Sequence, residues 1–151
     1  MITYQLSIFA ENKPGRLAAV TQILAKEKIN IRATTIATSD TFGVINLIVD
    51  DPPHAEAVLK KAGMTVRLSR VLAVVIPDQA GGLDKLTQLL FAEGININNA
   101  YGFVLEGARK AVFVVSVDRI EAAEKLLEEK GFQTLDARAL SAVEPVHYTK
   151  Q

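Results

Sequence analysis

The chain has 151 residues, 49% hydrophobic and 23% charged, which excludes a disordered polypeptide and suits one ordinary domain or two small ones. Seventeen Lys and Arg balance seventeen Asp and Glu, and no basic run is interleaved with aromatics, so nothing points to a nucleic-acid partner. The absence of cysteine excludes disulfides, thiolate metal sites, cysteine nucleophiles and thiol redox chemistry in this chain on its own.

The first residues, Met1-Ile-Thr-Tyr-Gln-Leu6, have neither the charged start nor the apolar stretch of a signal peptide. Residues 71–76 form the longest strongly apolar run, far short of a membrane span. A cytoplasmic protein without a membrane partner is the expectation.

Taken in chain order, residues 2–10 alternate, with Ile2, Tyr4, Leu6 and Ile8 on one side: a half-buried strand. Pro14-Gly15 interrupts it, and Leu17, Val20 and Leu24 then recur at helical spacing. Residues 29–38 and 43–49 are rich in β-formers and flank Ser-Asp-Thr, which predicts a hairpin. Asp50-Asp51 before Pro52-Pro53 reads as turn and cap chemistry, followed by a helix over 53–62 that stops at Gly63. A last strand over 65–69 completes β-α-β-β-α-β.

The second half repeats the first. At an offset of 66, Gly15, Leu17, Thr21, Gln22, Leu24 and Glu27 recur as Gly81, Leu83, Thr87, Gln88, Leu90 and Glu93, and Ile-Asn-Ile at 29–31 recurs at 95–97. At an offset of 68, GVINLIVD (43–50) matches AVFVVSVD (111–118). Leu83, Leu86 and Leu90 mark the matching helix.

The fold expected is therefore α+β: two ferredoxin-like units in tandem, each an antiparallel sheet with its helices on one face. Residues 1–69 form the first domain, 70–140 the second and 141–151 a C-terminal tail. No Gly/Ser/Pro linker separates the units, which predicts a fixed relative orientation. Residues 71–76 and 112–117 are apolar on both faces apart from Ser116, which reads either as a face covered by a partner sheet, in the chain or in a second copy, or as core strands with a few exposed valines.

A β-α-β-β-α-β unit whose first turn reads Asp/Asn-x-Pro/Ala-Gly-x-Leu, followed by a helix and Ile-Asn-Ile, resembles the ACT domain. Here the turns are Asn12-Lys-Pro-Gly-Arg-Leu17 and Asp78-Gln-Ala-Gly-Gly-Leu83, and the resemblance spans residues 1–138. The second turn departs from the pattern at Ala80, where the first has Pro14. The resemblance implies allosteric binding of an amino acid or similar metabolite between paired ACT units, in a homodimer or higher oligomer that regulates an enzyme of amino-acid metabolism.

The turn chemistry is compatible with that ligand. Each turn sits at a helix N-terminus, where unpaired amides and the dipole favour a carboxylate. Gly15 and Gly81 have no Cβ to obstruct approach, Asn12 both donates and accepts, and Asp78 accepts from an ammonium group. The candidate ligand-binding residues are Asn12, Pro14, Gly15, Arg16, Leu17, Asn30 and Ile31, with Asp78, Ala80, Gly81, Gly82, Leu83, Asn96 and Ile97 in the repeat. The same turns also read as ordinary helix caps, and Asn30 and Asn96 as residues bonding backbone where a strand starts.

In this topology the second strand starts at the far end of the sheet from its own unit's turn. Two-fold pairing through second strands would therefore bring Asn96 to the 12–17 turn and Asn30 to the 78–83 turn, within one chain or between two.

No nucleophile–base pair, metal-ligand spacing or phosphate-binding glycine loop is present, so no catalytic residue, metal or cofactor is assigned. His54 and His147 lack partnering ligands, and the acidic and basic residues of 121–130 read as a solvated helix face. A rival reading is an assembly subunit that binds a partner enzyme and no small molecule.

Overall fold

The computed structural model describes residues 1–105 and 109–142. In chain order the elements are β1 (Thr3–Glu11), α1 (Arg16–Lys26), β2 (Ile31–Ser39), β3 (Phe42–Val49), α2 (Pro52–Lys61), β4 (Thr65–Pro77), α3 (Gly82–Ala92), β5 (Ile97–Leu105), β6 (Lys110–Val117), α4 (Ile120–Glu129), β7 (Thr134–Leu135) and α5 (Ala137–Ala142). Two compact units result, one of Tyr4–Ser69 and one of Met1–Thr3 with the chain from Arg70 onward. The strands expected at 65–69 and 71–76 are a single element, β4, whose residues up to Ser69 serve the first unit and from Arg70 the second.

In the first unit the strand order is β2-β3-β1-β4, with β3 antiparallel to both neighbours. Leu6, Ile8, Ile45 and Leu47 point to one side, where Val20 and Leu24 of α1 and Ala55 and Leu59 of α2 close over them. The second unit has the order β7-β4-β6-β5, with Leu72, Val74 and Val115 packed against Leu86, Leu90, Ala123 and Leu127. These are the β-α-β-β-α-β units that the two periodicities predict. Ile2 packs into the second core, and the Met1 ammonium donates to Thr134 Oγ1 (2.5 Å) and pairs with Glu124 (3.2 Å), which places the first residues with the second unit.

The opposite sheet faces differ in chemistry. In the first unit Gln5, Ser7 and Asn46 are buried and linked: Ser7 Oγ donates to Asn46 Oδ1 (2.8 Å), and Gln5 Nε2 to the same oxygen (3.3 Å). In the second unit the matching positions are Val71, Ala73 and Val114, all buried. Buried polar atoms need partners and apolar ones do not, so either set fits the fold.

All four long helices stop in the same way. In α2, Gly63 N–H donates to Lys60 O (2.9 Å) and Met64 N–H to Leu59 O (3.1 Å), the paired bonds of a Schellman turn with a left-handed residue at its hinge. Gly94 and Gly131 take the hinge after α3 and α4, but after α1 it is Lys28, at φ 56°. At its start α2 has Pro52 and Pro53 in the first turn, and Asp51 accepts from the His54 N–H (3.2 Å), the cap chemistry its sequence predicts.

The last strand of the second unit is only the short β7. The chain then turns helical because Asp136 accepts from Ala139 N–H (2.8 Å) and Leu140 is buried. Helix α5 takes in Ser141 and Ala142 of the expected tail; residues 143–151, His147 among them, lie outside the described residues. No described helix is long and apolar enough to cross a membrane.

Candidate ligand-binding site

The first turn is held by the β2–β3 hairpin beside it. Strand register places Glu11 opposite Phe42, so the chain leaves β1 next to residues 38–43. Asn12 N–H donates to Thr41 O (2.9 Å), and Asn12 Nδ2 donates to Asp40 O (3.2 Å). Gly15 then caps α1 at φ 89°, with no side-chain hydrogen bond to the helix start. A Cβ on Gly15 would meet nothing within 4 Å, so the torsion requires glycine there and crowding does not.

Because no side chain caps α1, its first amides stay available. Arg16 N–H reaches Lys13 O (3.4 Å) and Ala19 N–H reaches Gly15 O (2.9 Å), while Leu17 and Ala18 N–H have no acceptor among the described residues. No acid occupies this first turn. Glu11 instead pairs with Lys13 (2.6 Å) and lies 3.9 Å from Arg16. The Lys13 hydrogen bond, and then its charge, hold the Glu11 carboxyl below the usual carboxylate range. Two cations against one carboxylate leave the turn net positive, beside unbonded amides at the positive end of a helix dipole.

A small cavity of about 90 Å³ opens under this turn, lined by Asn12, Lys13, Arg16 and Leu17 together with Glu11, Ile36, Thr38 and Gly43. Of the candidate residues, the fold thus gathers Asn12, Arg16 and Leu17 around one cavity, with Pro14 and Gly15 in the connecting turn. Glu11 and the hairpin residues carry no sequence signal of their own; the β1–β3 register brings the β2–β3 hairpin to the end of β1.

The second turn shares the backbone and differs in chemistry. Asp78 N–H donates to Arg109 O (2.9 Å), as Asn12 does to Thr41, and Gly81 caps α3 at φ 85°. Gly82, where the first turn has Arg16, is buried, and a Cβ there would fall 2.2 Å from Pro77 O. Lys13 is matched by Gln79, and Asp84 adds a carboxylate inside the first turn of α3. Ala80 and Leu83 are exposed.

Asn30 and Asn96 start β2 and β5 at the far ends of their sheets, as Ile31 opposite Val49 and Ile97 opposite Val117 show. Each is clamped by an acid ending the next strand: Asn30 N–H donates to Asp50 Oδ1 (3.1 Å) and Asn96 N–H to Asp118 Oδ1 (3.0 Å). Both side chains are exposed, and Asn96 Nδ2 donates to Asn98 Oδ1 (2.9 Å). Neither unit brings its own asparagine, or Ile31 or Ile97, to its own turn. His54 sits between Glu27 (3.2 Å) and Asp51 (3.8 Å), and no group of three potential metal ligands exists among the described residues.

The family model described as an ACT domain pair matches residues 1–143. The crystal structure of protein BT0572 from Bacteroides thetaiotaomicron is 37% identical, with a TM-score of 0.89 over 95% of this chain and 98% of that one. The ligand-free regulatory subunit of aspartate kinase from Thermus thermophilus shares the fold at 17% identity, with a TM-score of 0.62 over 87% of this chain and 97% of that one. The corresponding regulatory subunit from Thermus flavus is similar at 18% identity, with a TM-score of 0.58 over 85% and 92%. No curated protein matches the chain.

Proposed function

Since the chain belongs to the ACT domain pair family, we propose that it is a non-catalytic regulatory protein that binds an amino acid or similar small metabolite and acts on a partner enzyme of amino-acid metabolism. The observation that carries the reading is the first turn: unbonded Leu17 and Ala18 amides beside Lys13 and Arg16, over a cavity. A ligand carboxylate fits those amides, and its ammonium group fits the Glu11 carboxylate and the Asn12 side-chain oxygen.

The cavity of about 90 Å³ falls well short of the roughly 300 Å³ or more of an enclosing small-molecule site. A second surface must complete it. Strand β2 is the free edge of its unit, and its last residues lie beside the turn. A second copy pairing its edge strand β5 antiparallel to β2 delivers Asn96 and Ile97, at the start of β5, to the 12–17 turn. The reciprocal contact would bring Asn30 and Ile31 toward a 78–83 turn.

The test is thermal unfolding against the twenty amino acids and a few pathway metabolites. A ligand bound only by the folded state adds about 2.7 kcal/mol at one hundred times its dissociation constant. A shift confined to one chemical class, and lost in Asn12→Ala, is the expected result. Phe42, 60% exposed, and Phe9 beside it form apolar surface of the kind partner proteins cover. No shift at millimolar concentrations would therefore replace the sensor with an assembly subunit that binds a partner enzyme alone.

A further inference from the structure

The second unit has a pocket of about 330 Å³ between the end of β4, the first turns of α3, the start of β6 and the α4–β7 turn. Three lysines from three elements line it: Lys85 of α3, Lys110 of β6 and Lys130 at the end of α4. Its apolar wall is Val75, Ile76 and Phe132. Its size is that of a small-molecule site, about 300–1,000 Å³.

All three lysines are exposed, and their convergence on one pocket distinguishes them from the other exposed lysines. None of the three pairs with a carboxylate among the described residues. Lys130 is placed as a helix C-terminus favours, but Lys85 sits in the first turns of α3, where the dipole opposes a cation. Like charges facing one pocket repel one another, a cost that an anion would remove. The duplicated unit supplies the control. Its equivalent pocket, about 280 Å³, is lined by the pair Glu11 and Arg16, with Ala19 where Lys85 stands and Phe42 where Lys110 stands; the position of Lys130 is Ala62 in the first unit. The fold itself therefore requires no lysine at these positions.

We infer that the Lys85–Lys110–Lys130 pocket binds a small polyanion, a phosphate- or polycarboxylate-bearing metabolite whose apolar body rests on Ile76 and Phe132. It lies wholly within the second unit and uses none of the residues of the 12–17 turn, so it stands or falls independently of the amino-acid site.

Calorimetric titration of the full chain at low ionic strength, with inorganic pyrophosphate and with citrate as probes, tests this. Saturable binding of at least one probe is expected, accompanied by amide shifts at Gly131, Phe132 and Gln133. Tighter pyrophosphate binding would identify a phosphate site, and tighter citrate binding a carboxylate site. Replacing all three lysines, as Lys85→Gln, Lys110→Gln and Lys130→Gln, should weaken binding about tenfold or more and raise the anion-free melting temperature, because the mutual repulsion is removed. A control with Lys26→Gln, Lys61→Gln and Lys125→Gln, exposed lysines elsewhere, should bind as the parent does. Absence of saturable binding, or equal losses in the two triple variants, would overturn the proposal.

Discussion

The two β-to-helix turns have one backbone and two chemistries. Both cap a helix with a left-handed glycine, Gly15 or Gly81, and both tie the residue three positions earlier, Asn12 or Asp78, to the backbone of a later residue, Thr41 or Arg109. In the first, Arg16 and Lys13 project around a cavity; in the second, Gly82 presses on the Pro77 carbonyl and Asp84 occupies the helix start. Duplication thus preserved the frame and freed the side chains: the first turn is suited to a carboxylate, the second supplies its own. The sheet faces diverge in the same way, with a buried polar cluster in the first unit and valine and alanine in the second.

The largest break in this comparison should come from giving the second turn the residue of the first. Gly82→Arg forces a Cβ into Pro77 O, a backbone atom with no room to move, and should cost about 3 kcal/mol in thermal or urea unfolding. Arg16→Gly, the reverse exchange at an exposed site, should cost about 1 kcal/mol or less and remove ligand binding.

Next in size is Asn46→Val, which gives the first sheet the residue of the second but strips a buried partner from Ser7 and Gln5. Urea unfolding should show a loss of about 2 kcal/mol. Val114→Asn, its mirror image, buries an amide in an apolar face and should cost a similar amount, about 2 kcal/mol.

How much of this was legible follows from where each signal resides. The repeat, the Gly-x-Leu turns and the helix-stopping Gly63 are carried by residue type and spacing, so the fold could be read from the chain. The doubled Ile-Asn-Ile was visible too, but its local role was not. The clamp by Asp50 and Asp118 depends on strand register, which spacing alone does not reveal. The same holds for Glu11 and Thr38 at the first turn, and for Gly82, whose need for glycine is a contact with Pro77 and no property of its own torsion. Lys85, Lys110 and Lys130 lie far apart in sequence and meet only once the second unit is folded.

A smaller and opposite effect is expected at the helix hinges. Lys28 holds a left-handed conformation that Gly94 fills without strain, so Lys28→Gly should raise stability by about 1 kcal/mol, read as a higher melting temperature.

The smallest effect is electrostatic. Glu11 and Glu121 are each held below the usual carboxylate range, by hydrogen bonds from Lys13 and Arg70 respectively. Depressed carboxyl values contribute stability above that range, and the contribution disappears as pH falls through the folded value. Carbon-13 titration should show Glu11 rising in Lys13→Ala while Glu121 stays, and the converse in Arg70→Ala.

The central claim is that the first turn, and not the second, receives the ligand carboxylate. Nitrogen-15 spectra of the protein, titrated with the amino acid or metabolite that gives the largest thermal shift, test it most directly. The account predicts saturable shifts at the Leu17 and Ala18 amides and the Asn12 side-chain amide, with Leu83 and Asp84 unmoved. Shifts centred on Leu83 and Asp84, with Leu17 and Ala18 silent, would contradict it.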